Sequence, residues 1–256
     1  GTLARMQREM AELVSPEPWA KRFGEEDVEL LRNECDLAVF EPGPFAEDIS
    51  EPLPESGWPT YFTDSMRTDF RSRLREWVEE GAVAAVAGRL SGSSTERFLQ
   101  DQFFVKPLGS GGGDTHWHQD VSYCAVKGEN VISVFVALDD IEDPAECLRF
   151  VPRSHAFLGD DPTRPIPLPR SVVDAAMRNG RGGAKSIGSS RSSNSDRERG
   201  EEDEEDDLSG SLGWSLKAGD CVAFAAATLH GGPGSWGRAL TLRYIGDGVV
   251  WCAREG

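Results

Sequence analysis

A chain of 256 residues, 38% hydrophobic and 28% charged, is long enough for one well-buried domain with elaborations or for two small ones. Its net charge of −17 argues against DNA or RNA as the main ligand, because phosphate binding needs a basic surface. No apolar stretch reaches membrane-spanning length, and no secretory leader is visible; the chain begins at Gly1 rather than methionine, so a missing leader excludes nothing. Cys35, Cys124, Cys147, Cys221 and Cys252 are scattered and odd in number, which favours reduced thiols in an intracellular compartment, cytoplasm or organelle, over a disulfide framework.

Taken in order, residues 1–36 read as helical, with Leu3 through Leu13 as one segment and Glu25 to Cys35 as a second. Asp36 to Phe40 reads as a short strand. Pro42, Pro44, Pro52, Pro54 and Pro59 then predict a loop without regular structure. Asp64 or Ser65 is placed to cap a long helix whose Met66, Phe70, Leu74, Trp77 and Val78 form one apolar stripe. That helix should continue through Ala82–Leu90, stop at Gly92 and pack on one side of a sheet, with no chemistry of its own.

From Arg97 onward the texture turns to β. Phe98–Leu108, Trp117–Cys124, Val131–Leu138, Cys147–Val151, Cys221–Ala227 and Ala239–Val250 are short apolar or alternating runs divided by Gly, Pro and Asp. The series predicts a mainly β fold with flanking helices, its core a double-sheet jelly roll or double-stranded β-helix, a version suited to a mononuclear metal. The expected organisation is a helical region over residues 1–94 packed on a jelly-roll core over 95–256. Residues from about Asn179 to Ser211 are Gly/Ser-rich, then Arg/Ser-mixed, then strongly acidic, and predict a disordered surface insertion. Protein contact through that insertion is the one macromolecular partnership it suggests.

The chemistry centres on Thr115-His116-Trp117-His118-Gln119-Asp120-Val121. In an extended strand alternate side chains share a face, so His118 and Asp120 project together. A neutral imidazole beside a carboxylate supplies two of the three ligands of a facial Fe(II) site. The third should be a distant histidine, and His230 in Ala227-Thr228-Leu229-His230-Gly231-Gly232 is the best placed. His116 shares the face of His118 and competes for the role.

Six blocks carry a resemblance: Leu99 to Pro107, His116 to Asp120, Cys147 to His155, Leu216 to Phe224, Leu229-His230-Gly231, and Arg238 to Tyr244. In this order they resemble the phytanoyl-CoA dioxygenase family of iron- and 2-oxoglutarate-dependent oxygenases, over roughly Leu99 to Trp251. The resemblance implies Fe(II) held by His118, Asp120 and His230, with 2-oxoglutarate chelating the iron and O2 as co-reactant. It implies hydroxylation of a small organic or acyl substrate, with succinate and CO2 as coproducts. It also implies a cosubstrate arginine after the distal histidine, for which Arg238 and Arg243 are the candidates. They lie an odd number of residues apart and so face opposite sides of one strand. Arg238 shares its face with Leu240, Leu242 and Tyr244, the more apolar side, where a guanidinium needs an anionic partner that a cosubstrate carboxylate would supply. Arg238-Ala239-Leu240 also matches the family's cosubstrate segment, so Arg238 is expected to bind 2-oxoglutarate and Arg243 to make a structural ion pair. The family places further 2-oxoglutarate contacts at positions matching Gln102, Lys106 and Phe135.

The remaining residues carry weaker expectations. His116 reads as a partly exposed strand histidine, His155 as holding its loop by hydrogen bonds, and Trp117 and Tyr123 as packing. Arg153 stands where the family often has glycine, and Ala145-Glu146 replaces the usual Asn-Gly. Arg149, Arg153, Arg164 and Arg170 could receive the phosphates of a coenzyme A thioester, against the plainer reading of solvated loop arginines. The chain stops soon after Trp251, earlier than the resemblance implies, which suggests a piece of a longer protein. The rival readings are a cupin-type metalloenzyme that does not use 2-oxoglutarate, and a catalytically silent relative acting as a binding protein.

Overall fold

In the computed structural model the alternating runs from Arg97 onward become antiparallel strands, and the apolar face of the largest sheet is covered by the helices that precede them. The structure describes residues 23–35, 47–48, 62–65, 72–106, 115–159, 161, 166–181, 208–232 and 234–252. The expected helix at Leu3–Leu13 and strand at Asp36–Phe40 lie outside them.

Helix α1 (Glu25–Cys35) opens on Glu25, Glu26 and Asp27 and carries Arg32 in its last turn, charges that complement the helix dipole at both ends. The long helix expected from residue 64 or 65 is instead two helices, α2 (Ser72–Glu80) and α3 (Ala82–Ser91), separated by Gly81 in extended conformation. Gly92 closes α3 in the left-handed region at φ 64°, its N–H donating to the Gly88 carbonyl. Asp64 and Ser65 do not cap that helix. They end strand β2 (Phe62–Ser65), and β1 (Glu47–Asp48) pairs with β2 inside the stretch expected to be irregular.

The main sheet adds β3 (Arg97–Lys106), β6 (Val131–Ala137), β8 (Cys221–Ala225) and β10 (Gly237–Ile245), in the order β1-β2-β3-β10-β6-β8. A second, smaller sheet holds β4 (Thr115–His118), β9 (His230–Gly232) and β7 (Arg149–Phe150), in the order β4-β9-β7, and β5 (Val126–Lys127) pairs with β11 (Val250–Trp251). β1 pairs with β2 and β2 with β3, so the main sheet takes strands from both sides of residue 94. Helices α4 (Ser154–Leu158) and α5 (Arg170–Arg181) follow β7; α5 runs into the stretch expected to be a disordered insertion, and Leu208–Gly210 forms a 3-10 turn at its far end.

Side-chain alternation divides the main sheet into two faces with different jobs. Phe103, Ile132, Val134, Val136, Leu240, Leu242 and Tyr244 meet Leu31, Leu74, Trp77, Val78, Val83 and Ala87 of the helices. Each such side chain contributes about 1.5–3 kcal/mol on burial, so this layer supplies much of the stability. The opposite face turns Phe135, Ala137 and Ala239 inward toward Ile141, Leu148, Phe150, Phe224 and Trp236. The smaller sheet lies on that inward side and carries the histidines.

Candidate metal centre

His118 ends β4, and Gln119 continues in extended conformation before Asp120 starts a 3-10 turn. The extended link puts His118 and Asp120 on one side, as the spacing predicts. His230, the first residue of β9, is the direct cross-strand partner of His118. Such close pairing requires Gly231. A Cβ there would sit 2.8 Å from the Trp117 Cα and 2.9 Å from two β4 carbonyl oxygens, and φ is 151°. His118, Asp120 and His230 are all buried, and their ligand atoms lie within 4.8 Å of one another. Each histidine Nε2 is 3.7 Å from Asp120 Oδ1. His116 is exposed and stands outside this group.

Backbone carbonyls fix both imidazoles. His118 Nδ1 is 2.6 Å from the His116 oxygen and His230 Nδ1 is 2.9 Å from the Thr228 oxygen. That network assigns the proton to Nδ1 and leaves the Nε2 lone pairs directed at the centre. Burial, together with the neighbouring His118 and Arg243, outweighs Asp120 and the Thr228 carbonyl and pushes His230 down to about 3. The ring is therefore neutral at neutral pH, the form that binds metals. Two imidazole nitrogens and one carboxylate oxygen are a donor set suited to Fe(II) with open positions.

Asp120 is fully buried, and both oxygens are engaged. Oδ2 accepts a 2.6 Å hydrogen bond from Ser133 Oγ, and Oδ1 accepts one of 2.6 Å from Arg243 Nη2. Burial raises the carboxyl pKa, but Arg243, His230 and His118 together hold it well below the usual carboxylate range. The guanidinium also reaches Gln102 Oε1, at 3.4 Å from both Nη atoms, and Gln102 Nε2 donates to Thr63 Oγ1 at 3.0 Å. A polar track thus crosses β2, β3 and β10 to the metal carboxylate. Ser133 was missed in the sequence, although it is the lone polar residue of the apolar run Val131–Ala137.

Arg238 lies elsewhere on β10. It does share the face of Leu240, Leu242 and Tyr244, but that face is the helix-covered one. Its guanidinium grips Asp139, Nε to Oδ2 at 2.9 Å and Nη2 to Oδ1 at 2.6 Å, and α1 adds Arg32 at 3.5 Å. The structure does not bring Arg238 to the triad. Arg243 makes the ion pair expected of it, with the metal carboxylate itself as partner. Lys106, also on the inward side, is fully buried; its Nζ donates to Thr115 Oγ1 at 3.0 Å and lies 4.3 Å from the Trp236 ring centroid. Phe135 packs edge-on against the same Trp236, with centroids 5.8 Å apart.

Around the rim, Tyr123 stands edge-on to His118 at 5.1 Å and remains 49% exposed. His155 is buried, yet its ring nitrogens make no hydrogen bond among the described residues. Ser154 holds that loop instead, donating to the Val151 oxygen and accepting from the Leu229 N–H beside His230. Arg153 adopts φ 64°, a left-handed conformation that explains why glycine suits this position. Of the arginines considered for a basic patch, Arg149 donates to Ser211 and the Pro144 oxygen, and Arg170 pairs with Asp174. Arg164 lies outside them.

The phytanoyl-CoA dioxygenase family model matches residues 1–236. The chain belongs to this family. Its fold is similar to that of the non-heme alpha-ketoglutarate-dependent carbocyclase SnoK from nogalamycin biosynthesis, at 17% identity and TM-score 0.63, covering 90% of this chain and 79% of that one. EvdO2 from Micromonospora carbonacea var. aurantiaca, complexed with 2-oxoglutarate, is 19% identical with TM-score 0.52, over 91% of this chain and 86% of that one. EctD from S. alaskensis, with bound Fe, is 18% identical with TM-score 0.56, over 88% of this chain and 70% of that one. At such identities the likeness shows the fold, the jelly-roll core expected from the sequence. No curated protein matches the chain by sequence. Family membership together with the buried His-Asp-His set makes the chain an Fe(II)- and 2-oxoglutarate-dependent oxidoreductase. Among the described residues no helix is long and apolar enough to cross a membrane.

Proposed function

We propose that this family member hydroxylates a small organic substrate at a centre where His118 Nε2, Asp120 Oδ1 and His230 Nε2 hold Fe(II). The observation that carries the reading is the convergence of these three buried donors, with both imidazoles already oriented by carbonyls. When bound, Fe(II) and 2-oxoglutarate supply O2 activation, with succinate and CO2 as coproducts. The protein's own part is orientation and exclusion. Ser133 locks one oxygen of Asp120 and leaves the other facing both histidines. Lys106, buried on the inward face and tied to β4 through Thr115, is the cation we assign to the far carboxylate of 2-oxoglutarate in place of Arg238. Phe135 and Trp236 give that end an apolar wall, which strengthens a charge-assisted contact by excluding water. Gln102 is assigned to the cosubstrate side as well, through its contact with Arg243. Tyr123, exposed against His118, marks the side from which substrate approaches.

The test is substrate-linked 2-oxoglutarate turnover, with lysate metabolites screened for those that stimulate succinate formation. Asp120→Ala and His230→Ala should abolish that turnover and the absorption band that anaerobic Fe(II) plus 2-oxoglutarate gives in the wild type. Full turnover in either purified variant would remove that residue from the centre.

A further inference from the structure

The metal-facing oxygen of Asp120 is already shared. Oδ1 is the oxygen 3.7 Å from both histidine Nε2 atoms, and it is also the oxygen that Arg243 Nη2 holds at 2.6 Å. Ser133 pins Oδ2 at 2.6 Å, so the carboxylate cannot simply turn a second oxygen to the guanidinium. Arg243 is fully enclosed, on the inward face of β10 directly across from Ser133 on β6, and is steadied by Gln102. We propose that Arg243 is a resident counter-ion of the metal centre, a positioning residue that keeps Asp120 in place while weakening the site's hold on a bare divalent cation. Tight loading then depends on an anionic cosubstrate. This rests on the metal centre and cosubstrate of the preceding section.

The reasoning is a count of charge in a buried space. Asp120 and Arg243 cancel, and imidazoles bind metal in their neutral form, so a divalent ion brings two uncompensated positive charges among largely buried ligands. A 2-oxoglutarate dianion carries the two negative charges that offset them. Metal and cosubstrate should therefore bind with positive coupling, and reciprocity requires each to tighten the other by the same factor. A purely structural arginine predicts the opposite sign on removal, because a displaced Asp120 would bind metal less well.

Mn2+ titrated by calorimetry into the purified protein, with and without 2-oxoglutarate, reads both quantities without turnover. Wild type should bind Mn2+ more tightly when 2-oxoglutarate is present. Arg243→Met and Arg243→Gln should bind Mn2+ alone about tenfold tighter than wild type, or more, and lose most of the cosubstrate-dependent gain. Arg243→Lys, which keeps the charge, should return both toward wild type. Equal or weaker Mn2+ binding in a folded Arg243→Met or Arg243→Gln protein overturns the proposal. If neither variant folds, the wild-type coupling decides: a Mn2+ affinity indifferent to 2-oxoglutarate overturns it. Wild type that binds no Mn2+, or His230→Ala that binds it equally well, overturns the metal centre itself and the proposal with it.

Discussion

Replacing Arg238 and Lys106 in parallel separates the two ways of reading strand β10. Arg238 holds Asp139 through two hydrogen bonds on the helix-covered face, with side-chain exposures of 31% and 24%. Partly exposed pairs of this kind are discounted for solvent screening, and in Arg238→Ala the backbone N–H of residue 238 still donates to Asp139 while Arg32 remains nearby. The expected cost is therefore about 1 kcal/mol, a fall in Tm of about 2–4 °C. Affinity for 2-oxoglutarate should not change, since the Arg238 guanidinium is held by Asp139. Lys106→Met removes a fully buried cation and keeps an apolar side chain of similar length. Without cosubstrate, losing the hydrogen bond to Thr115 should cost about 0.5–1.5 kcal/mol of stability. With cosubstrate, loss of a desolvated charge-assisted contact should cost about 2–3 kcal/mol, or about 30- to 150-fold in Kd. Calorimetric titration of 2-oxoglutarate into the Mn2+-loaded proteins, alongside thermal melts, gives both numbers. Arg238→Ala weakening 2-oxoglutarate more than Lys106→Met does would refute the assignment and restore Arg238 to the pocket.

Three further outcomes follow from local geometry. Arg153 sits at φ 64°, a conformation costing an L-residue about 1–2 kcal/mol, of which glycine's extra chain entropy gives back about 0.5–1 kcal/mol. Arg153→Gly should raise unfolding stability by up to about 1 kcal/mol in denaturant titration; a clear fall would show that the arginine side chain stabilises the loop. Burial raises the Asp139 carboxyl, but Arg238 and Arg32 outweigh it, so the folded value lies below the unfolded one. Its stabilisation is then present above about pH 4 and lost as acid protonates the group. The Tm gap between wild type and Asp139→Asn should accordingly shrink from pH 7 to pH 3, and a constant gap would contradict the linkage. Gly231→Ala places a Cβ 2.8 Å from the Trp117 Cα. That should pry β9 from β4 and remove the thermal stabilisation that Mn2+ gives the wild type; undiminished stabilisation would show that the strands need no such approach.

Much of the centre was legible because its determinants are local. The His118-Gln119-Asp120 spacing works through two residues of extended chain, and His230 is announced by the glycines that let β9 approach β4. Helix α1 was legible from its charged ends and apolar period. Strand β2 was not, because Phe62–Ser65 pairs only through β1 and β3 and has no pattern of its own, while Asp64 and Ser65 mimic a helix cap. The helix was expected to continue through Ala82–Leu90, yet Gly81 divides α2 from α3, and only the helix-to-sheet packing decides between those outcomes. Helix α5 was obscured by the polar stretch that begins before its end.

The Arg238 expectation rests on a more general step. Parity established that residues 238 and 243 face opposite ways, which is true of any strand, but it cannot say which side holds the pocket. The apolar side was chosen, and in this fold the apolar side of β10 is the one roofed by α1, α2 and α3. The pocket side is marked instead by a polar minority in register across neighbouring strands. Arg243 lies opposite Ser133, and Thr241 lies between Gln102 and Phe135. A buried strand tolerates such residues only where they satisfy one another or serve a ligand. Finding Ser133, Gln102, Thr241 and Arg243 on one surface is thus stronger evidence for the position of the metal than the hydrophobicity of any single strand.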